Sequence, residues 1–118
     1  MAPFYNVESK ESSADTWYFV VRLDPKHPIY AGHFPGSPLV PGALLVQIVK
    51  ELAETGTGKA LKLIKADSIK FLSVIVPHES SSLSVKLLII NGPTYNVTAE
   101  MLNNDTLSFK MTASYSVD

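Results

Sequence analysis

The sequence predicts an α+β domain in which a curved antiparallel sheet wraps around one buried helix. Three observations predict it. A single stretch, Ala43 to Glu54 (ALLVQIVKELAE), lacks Gly and Pro and repeats apolar residues at three- and four-residue spacing. Most of the remaining chain alternates apolar and polar residues or is rich in β-branched and aromatic types. The runs near the end are separated by short turn signals at hairpin spacing.

The elements follow in chain order. Thr16 to Leu23 (TWYFVVRL) reads as the first strand, ended by Pro25, which has no N–H to give to a ladder. Asp24 to Gly42 contains five of the eight prolines and three of the six glycines, so an ordered, irregular loop is expected. In the helix, Leu44, Ile48 and Leu52 form one row and Leu45 and Val49 another. Ala43, Val46 and Ala53 leave it apolar nearly all round, which predicts enclosure by protein. Gly56 and Gly58 are expected to stop it. Lys59 to Val76 supplies one long strand or two short ones before Pro77. Leu83 to Ile89 and Val97 to Met101 alternate, the first less cleanly because Leu88 and Ile90 are apolar too. Leu107, Phe109, Met111, Ala113, Tyr115 and Val117 alternate strictly with polar neighbours, as in a strand with one wet face. The turns Asn91-Gly92-Pro93 and Asn103-Asn104-Asp105 make these last runs an antiparallel meander.

Composition narrows the function. A chain of 118 residues suits one domain spanning 1–118 with a real core. Ten basic and eleven acidic residues, spread along the chain, give a net charge of -1, so nothing marks a nucleic-acid or anionic-lipid surface. Cysteine is absent, which removes disulfides, thiolate nucleophiles and Cys-based metal sites. Three separated histidines make no metal site, and no Gly-rich phosphate loop occurs. No leader or membrane-spanning run is visible. The expectation is a cytoplasmic protein with no metal, no cofactor, no nucleic acid and no membrane among its partners.

His27-Pro28, Gly32-His33-Phe34-Pro35-Gly36, Pro38 and Pro41-Gly42, with the helix after them, resemble the β-hydroxyacyl-acyl-carrier-protein dehydratases of the FabZ and FabA type. Ile69-Lys70-Phe71 and Val74 to Glu79 resemble the strand and turn after the central helix of that family, and an aryl-polyene branch of dehydratase-like proteins carries a comparable motif. The resemblance implies the hot-dog fold, a homodimer with the site at its junction, and a 3-hydroxyacyl thioester on acyl carrier protein or coenzyme A as ligand, in fatty-acid or specialised lipid biosynthesis.

Dehydration of such a thioester needs a base for the proton beside the carbonyl, donors for the enolate oxygen and an acid for the departing hydroxyl. His33 is the candidate base, since imidazole titrates near neutral pH; the bland alternative is a structural loop histidine. The oxyanion donors are sought at the helix start, whose first N–H groups lack intrahelical partners. The resemblance implies Gly42 there, although Pro41-Gly42 would also serve simply to start a helix. Pro41, Gly42, Ala43 and Phe34 are the substrate-binding candidates, with Tyr30 and Phe71 as further tunnel aromatics.

Where the resembling enzymes hold Glu or Asp, five positions after that Gly, this chain has Gln47. An amide donates and accepts hydrogen bonds but has no titratable proton. Three accounts follow: His33 handles both protons while Gln47 positions the hydroxyl; Glu51, four residues on, swings in as acid; or the site binds an acyl chain without turnover. A thioesterase is a further alternative, weakened because Ala43 to Lys50 contains no carboxylate. His27, His78 and Glu79 are read as structural.

Overall fold

The computed structural model describes residues 4–28, 40–77 and 82–118. It contains β1 (Tyr5–Ser13), β2 (Thr16–Leu23), α1 (Gly42–Thr57), β3 (Leu61–Phe71), β4 (Ser82–Asn91), β5 (Tyr95–Asn103) and β6 (Thr106–Val117). The strands form one antiparallel sheet in the order β1-β2-β4-β5-β6-β3. The last three strands make the expected meander, but the whole sheet does not: β3, next in sequence after α1, lies beyond β6 at the far edge, so the helix spans the sheet between β2 and β3.

The core lies between the sheet and α1. Alternation decides which side chains enter it: Phe19, Val21 and Leu23 from β2, Leu83, Val85 and Leu87 from β4, and Phe109, Met111, Ala113 and Tyr115 from β6 are all buried. Leu88 and Ile90, which blurred the pattern in β4, point outward and are exposed. From α1 come Leu45, Ile48, Val49, Leu52 and Ala53, one continuous buried stripe. Each such side chain contributes about 1.5–3 kcal/mol on burial. Ala43 is exposed and Leu44 and Val46 are only partly covered, so one flank of the helix is open, short of the enclosure its composition predicts.

The helix begins one residue before and ends three after the expected limits. Gly56 remains helical because its missing side chain admits Trp17, whose Nε1 would lie 3.0 Å from a Cβ there. Gly58, at φ 71°, makes the left-handed cap and returns its N–H to Glu54 O at 2.9 Å. Strand β1 was not foreseen from sequence. Its residues (YNVESKESS) are polar and exposed after Tyr5, and pairing with β2 rather than burial holds them extended.

Candidate functional site

The chain enters α1 through Val40, whose N–H donates to Ile75 O at 2.8 Å, tying the helix start to the segment after β3. Pro41 is the N-cap, with extended dihedrals (φ −62°, ψ 144°). Gly42 opens the helix for a packing reason: a Cβ there would sit 2.5 Å from Phe71 Cε1 and 2.6 Å from Cζ. The Phe71 ring, itself stacked at a tilt on Phe109, therefore occupies the space that a side chain at 42 would fill. Glycine at this position admits an aromatic ring of the same chain, whatever else approaches its N–H. Pro41, Gly42, Leu45, Phe71, Val74 and Ile75 line most of an apolar cavity of about 450 Å³.

Gln47 faces a different cavity, of about 290 Å³, between α1 and the start of β3. Five helical positions rotate a side chain by about 140° relative to Gly42, so the two residues look to different sides of the helix. Val46, Lys50, Leu61, Leu63 and Tyr115 share this second cavity. Tyr115 is fully buried and its hydroxyl has no hydrogen-bond partner among the described residues. Burial, with the nearby Glu54 carboxylate second, pushes its pKa up to about 12.

The Gln47 amide is not free to turn. Its Nε2 donates to Glu51 Oε2 at 2.7 Å, and the other oxygen of that carboxylate accepts from Tyr5 Oη at 2.6 Å. Tyr5, on β1, is buried; burial first, then the hydrogen bond and charge of Glu51, hold its phenol protonated far above the usual range. Both Glu51 oxygens are thus engaged, so for Glu51 to swing in as acid it would have to break one of these bonds. Tyr5 carries no sequence signal as a site residue, since it lies 46 positions from Glu51 in a polar segment.

His33 and Phe34 lie outside the described residues, as do Tyr30, His78 and Glu79. Ala43 is exposed beside Gly42. His27 is buried and packs edge-on against Phe4 with centroids 6.3 Å apart, which agrees with a structural place in the loop. Among the described residues no cluster of metal-ligating side chains exists, and no helix is long and apolar enough to cross a membrane.

Comparison with known proteins agrees with this architecture. The model of the ApeI dehydratase family matches residues 9–114. The 3-hydroxyacyl-acyl-carrier-protein dehydratase FabZ of Syntrophobacter fumaroxidans is 32% identical over 91 residues, covering 68% of this chain and 60% of that protein; FabZ of Macrococcus caseolyticus is 25% identical over 105 residues, 83% of this chain and 72% of that one. The chain thus spans less than two thirds of the first of these relatives. In structure it is similar to the dehydratase heterocomplex ApeI:P from Xenorhabdus doucetiae, with a TM-score of 0.78 at 20% identity over 98% of this chain and 99% of that one. It is also similar to smu.793 of Streptococcus mutans bound to acetyl CoA, with a TM-score of 0.69 at 13% identity over 100% and 91%. The fold is the hot-dog fold, and the chain belongs to the ApeI-like dehydratase family.

Proposed function

We propose that this protein removes water from 3-hydroxyacyl thioesters, carried on acyl carrier protein or coenzyme A, in fatty-acid or specialised lipid biosynthesis. The observation that carries the reading is Gln47: at the helix position where the resembling dehydratases hold their acid, a polar side chain faces a cavity floored by the Tyr115 phenol. The names of the FabZ relatives support an acyl-carrier-protein substrate, and the acetyl CoA of the Streptococcus mutans structure supports a coenzyme A thioester on this fold.

In this reading His33 removes the proton beside the carbonyl and returns one to the departing hydroxyl. The first-turn N–H groups at Gly42 stabilise the enolate oxygen, and Gln47 holds the hydroxyl. Gly42 and Gln47 line separate cavities of the chain; the reading sets the site at the junction of two copies, with His33 of one serving Gln47 and the helix start of the other. The exposed apolar residues Leu63, Ile64, Ile69 and Phe71 on edge strand β3 support a homodimer joined there. The working place we assign is the cytoplasm, in keeping with a chain free of cysteine.

The test is the absorbance of the conjugated enoyl thioester during hydration and dehydration of short and medium 3-hydroxyacyl thioesters. Turnover is expected in the native protein, abolished by His33→Ala and raised by Gln47→Glu, which restores a titratable group worth about a hundredfold or more in rate. A second reading, binding of acyl thioesters without turnover, is favoured by the lack of a titratable proton on Gln47 and the full engagement of Glu51. Thioester binding with no turnover in any of the three proteins would replace the dehydratase with that binder.

A further inference from the structure

The three side chains Tyr5, Glu51 and Gln47 form a chain of hydrogen bonds with one direction. The phenol donates to Glu51 Oε1 at 2.6 Å, and the Gln47 amide nitrogen donates to Glu51 Oε2 at 2.7 Å. An ionised carboxylate only accepts, so the Gln47 NH2 must face it, and the amide oxygen is left on the other side. Gln47 also lines the cavity beside β3.

We infer that Glu51, braced by Tyr5, is a positioning residue that presents Gln47 to the cavity as a hydrogen-bond acceptor, making the site select an acyl chain with a 3-hydroxyl over one with a 3-oxo group. This rests on the dehydratase reading and adds a substrate preference to it. A hydroxyl has a proton to give to Gln47 Oε1, and its oxygen lone pairs then remain free to receive the proton on departure. A ketone at the same carbon is an acceptor only and meets another acceptor, leaving both unpaired.

The arrangement also predicts how its selectivity is lost. With Glu51→Gln, the Tyr5 hydroxyl draws the new amide oxygen toward itself, which turns the NH2 at position 51 toward residue 47. Gln47 must then accept, and its own NH2 swings to the cavity side. The site becomes a donor, which the 3-hydroxyl and the 3-oxo group both satisfy as acceptors.

The experiment uses two unreactive probes, 3-hydroxyoctanamido-coenzyme A and 3-oxooctanamido-coenzyme A, in which nitrogen replaces the thioester sulfur. Dissociation constants are measured by calorimetry for the full chain and for Glu51→Gln, Tyr5→Phe and Gln47→Ala, beside turnover of 3-hydroxyoctanoyl-coenzyme A by the native protein. The native protein is expected to favour the hydroxy probe by about five- to tenfold, the scale of one hydrogen bond. Gln47→Ala should bring the ratio near one, Tyr5→Phe should reduce it, and Glu51→Gln should also bring it near one, because a donor at position 47 is met equally by a hydroxyl and a ketone. A merely structural role would weaken both probes equally, and that result, or an unchanged ratio in Glu51→Gln, overturns the inference. Native turnover without preference for the hydroxy probe also overturns it while leaving the dehydratase standing. A native protein that neither turns over the thioester nor binds either probe removes both.

Discussion

Tyr115 buries a phenol whose oxygen meets no partner among the described residues, and removing that oxygen should help the fold. An unpaired buried hydroxyl costs about 1–3 kcal/mol in desolvation, so Tyr115→Phe is expected to raise unfolding free energy by about 1 kcal/mol, read by urea denaturation at neutral pH. A loss of stability would mean that the hydroxyl is paired. The same residue sets an alkaline limit. Its folded pKa is raised from 10.0 to about 12, so above pH 10 the unfolded chain loses the proton first and stability falls until the folded form also titrates near pH 12. Tyr5 acts in the same direction. Stability measured from pH 9 to pH 12 should therefore decline, and less steeply in Tyr115→Phe. At this scale the sequence made Gln47 and Gly42 visible through a motif of fixed spacing. It could not show Tyr5 or Tyr115, because their places depend on contacts between strands and helix far apart in the chain.

The helix start and the end of β3 are one packing unit. Phe71 fills the space above Gly42, and Val40 is bonded to Ile75. Gly42→Ala would set a methyl against the far end of the Phe71 ring, which at 60% exposure has room to swing aside, and is expected to destabilise by about 1 kcal/mol or less. In a Phe71→Ala background the same change should cost almost nothing, and a thermal double-mutant cycle measures the coupling; equal losses in both backgrounds would show that Gly42 answers to something other than Phe71. The elements with a clean period were mostly legible: in β6 the alternation holds from Phe109 to Tyr115, although Ser108 is buried and Val117 exposed, and in α1 the rows are buried except for Leu44. Strand β1 was not, since an edge strand kept extended by pairing needs no hydrophobic pattern. The helix ran past Gly56 because contact with Trp17 outweighs the about 1 kcal/mol glycine penalty in a helix.

At the scale of the whole molecule, the sheet has two open edges, β1 and β3, and they differ. β1 after Tyr5 is polar apart from the exposed Val7, whereas β3 exposes Leu63, Ile64, Ile69 and Phe71. Lys62, Lys65, Asp67 and Lys70 interrupt the apolar residues of β3, but Ile64 and Phe71 stay more than half exposed on this edge. The protein is expected to sediment as a dimer, and Ile64→Lys to shift it toward monomer while the circular dichroism of the fold is retained. A native monomer at micromolar concentration would end the argument for a site shared between copies.

Periodicity and turn residues determined, from the sequence alone, that one helix packs on an antiparallel sheet, and the resemblance to the dehydratases placed Gln47 where those enzymes hold a carboxylic acid. These are local properties, written in neighbouring residues, and they survive without knowledge of what folds against what. Only the tertiary structure decided that β3 crosses to the far edge, that Gly42 makes room for Phe71, and that Tyr5 and Glu51 hold the Gln47 amide in one sense. Except for the four-residue step from Gln47 to Glu51, these are contacts between residues distant in the chain, which depend on the atoms the fold brings within hydrogen-bond or van der Waals reach.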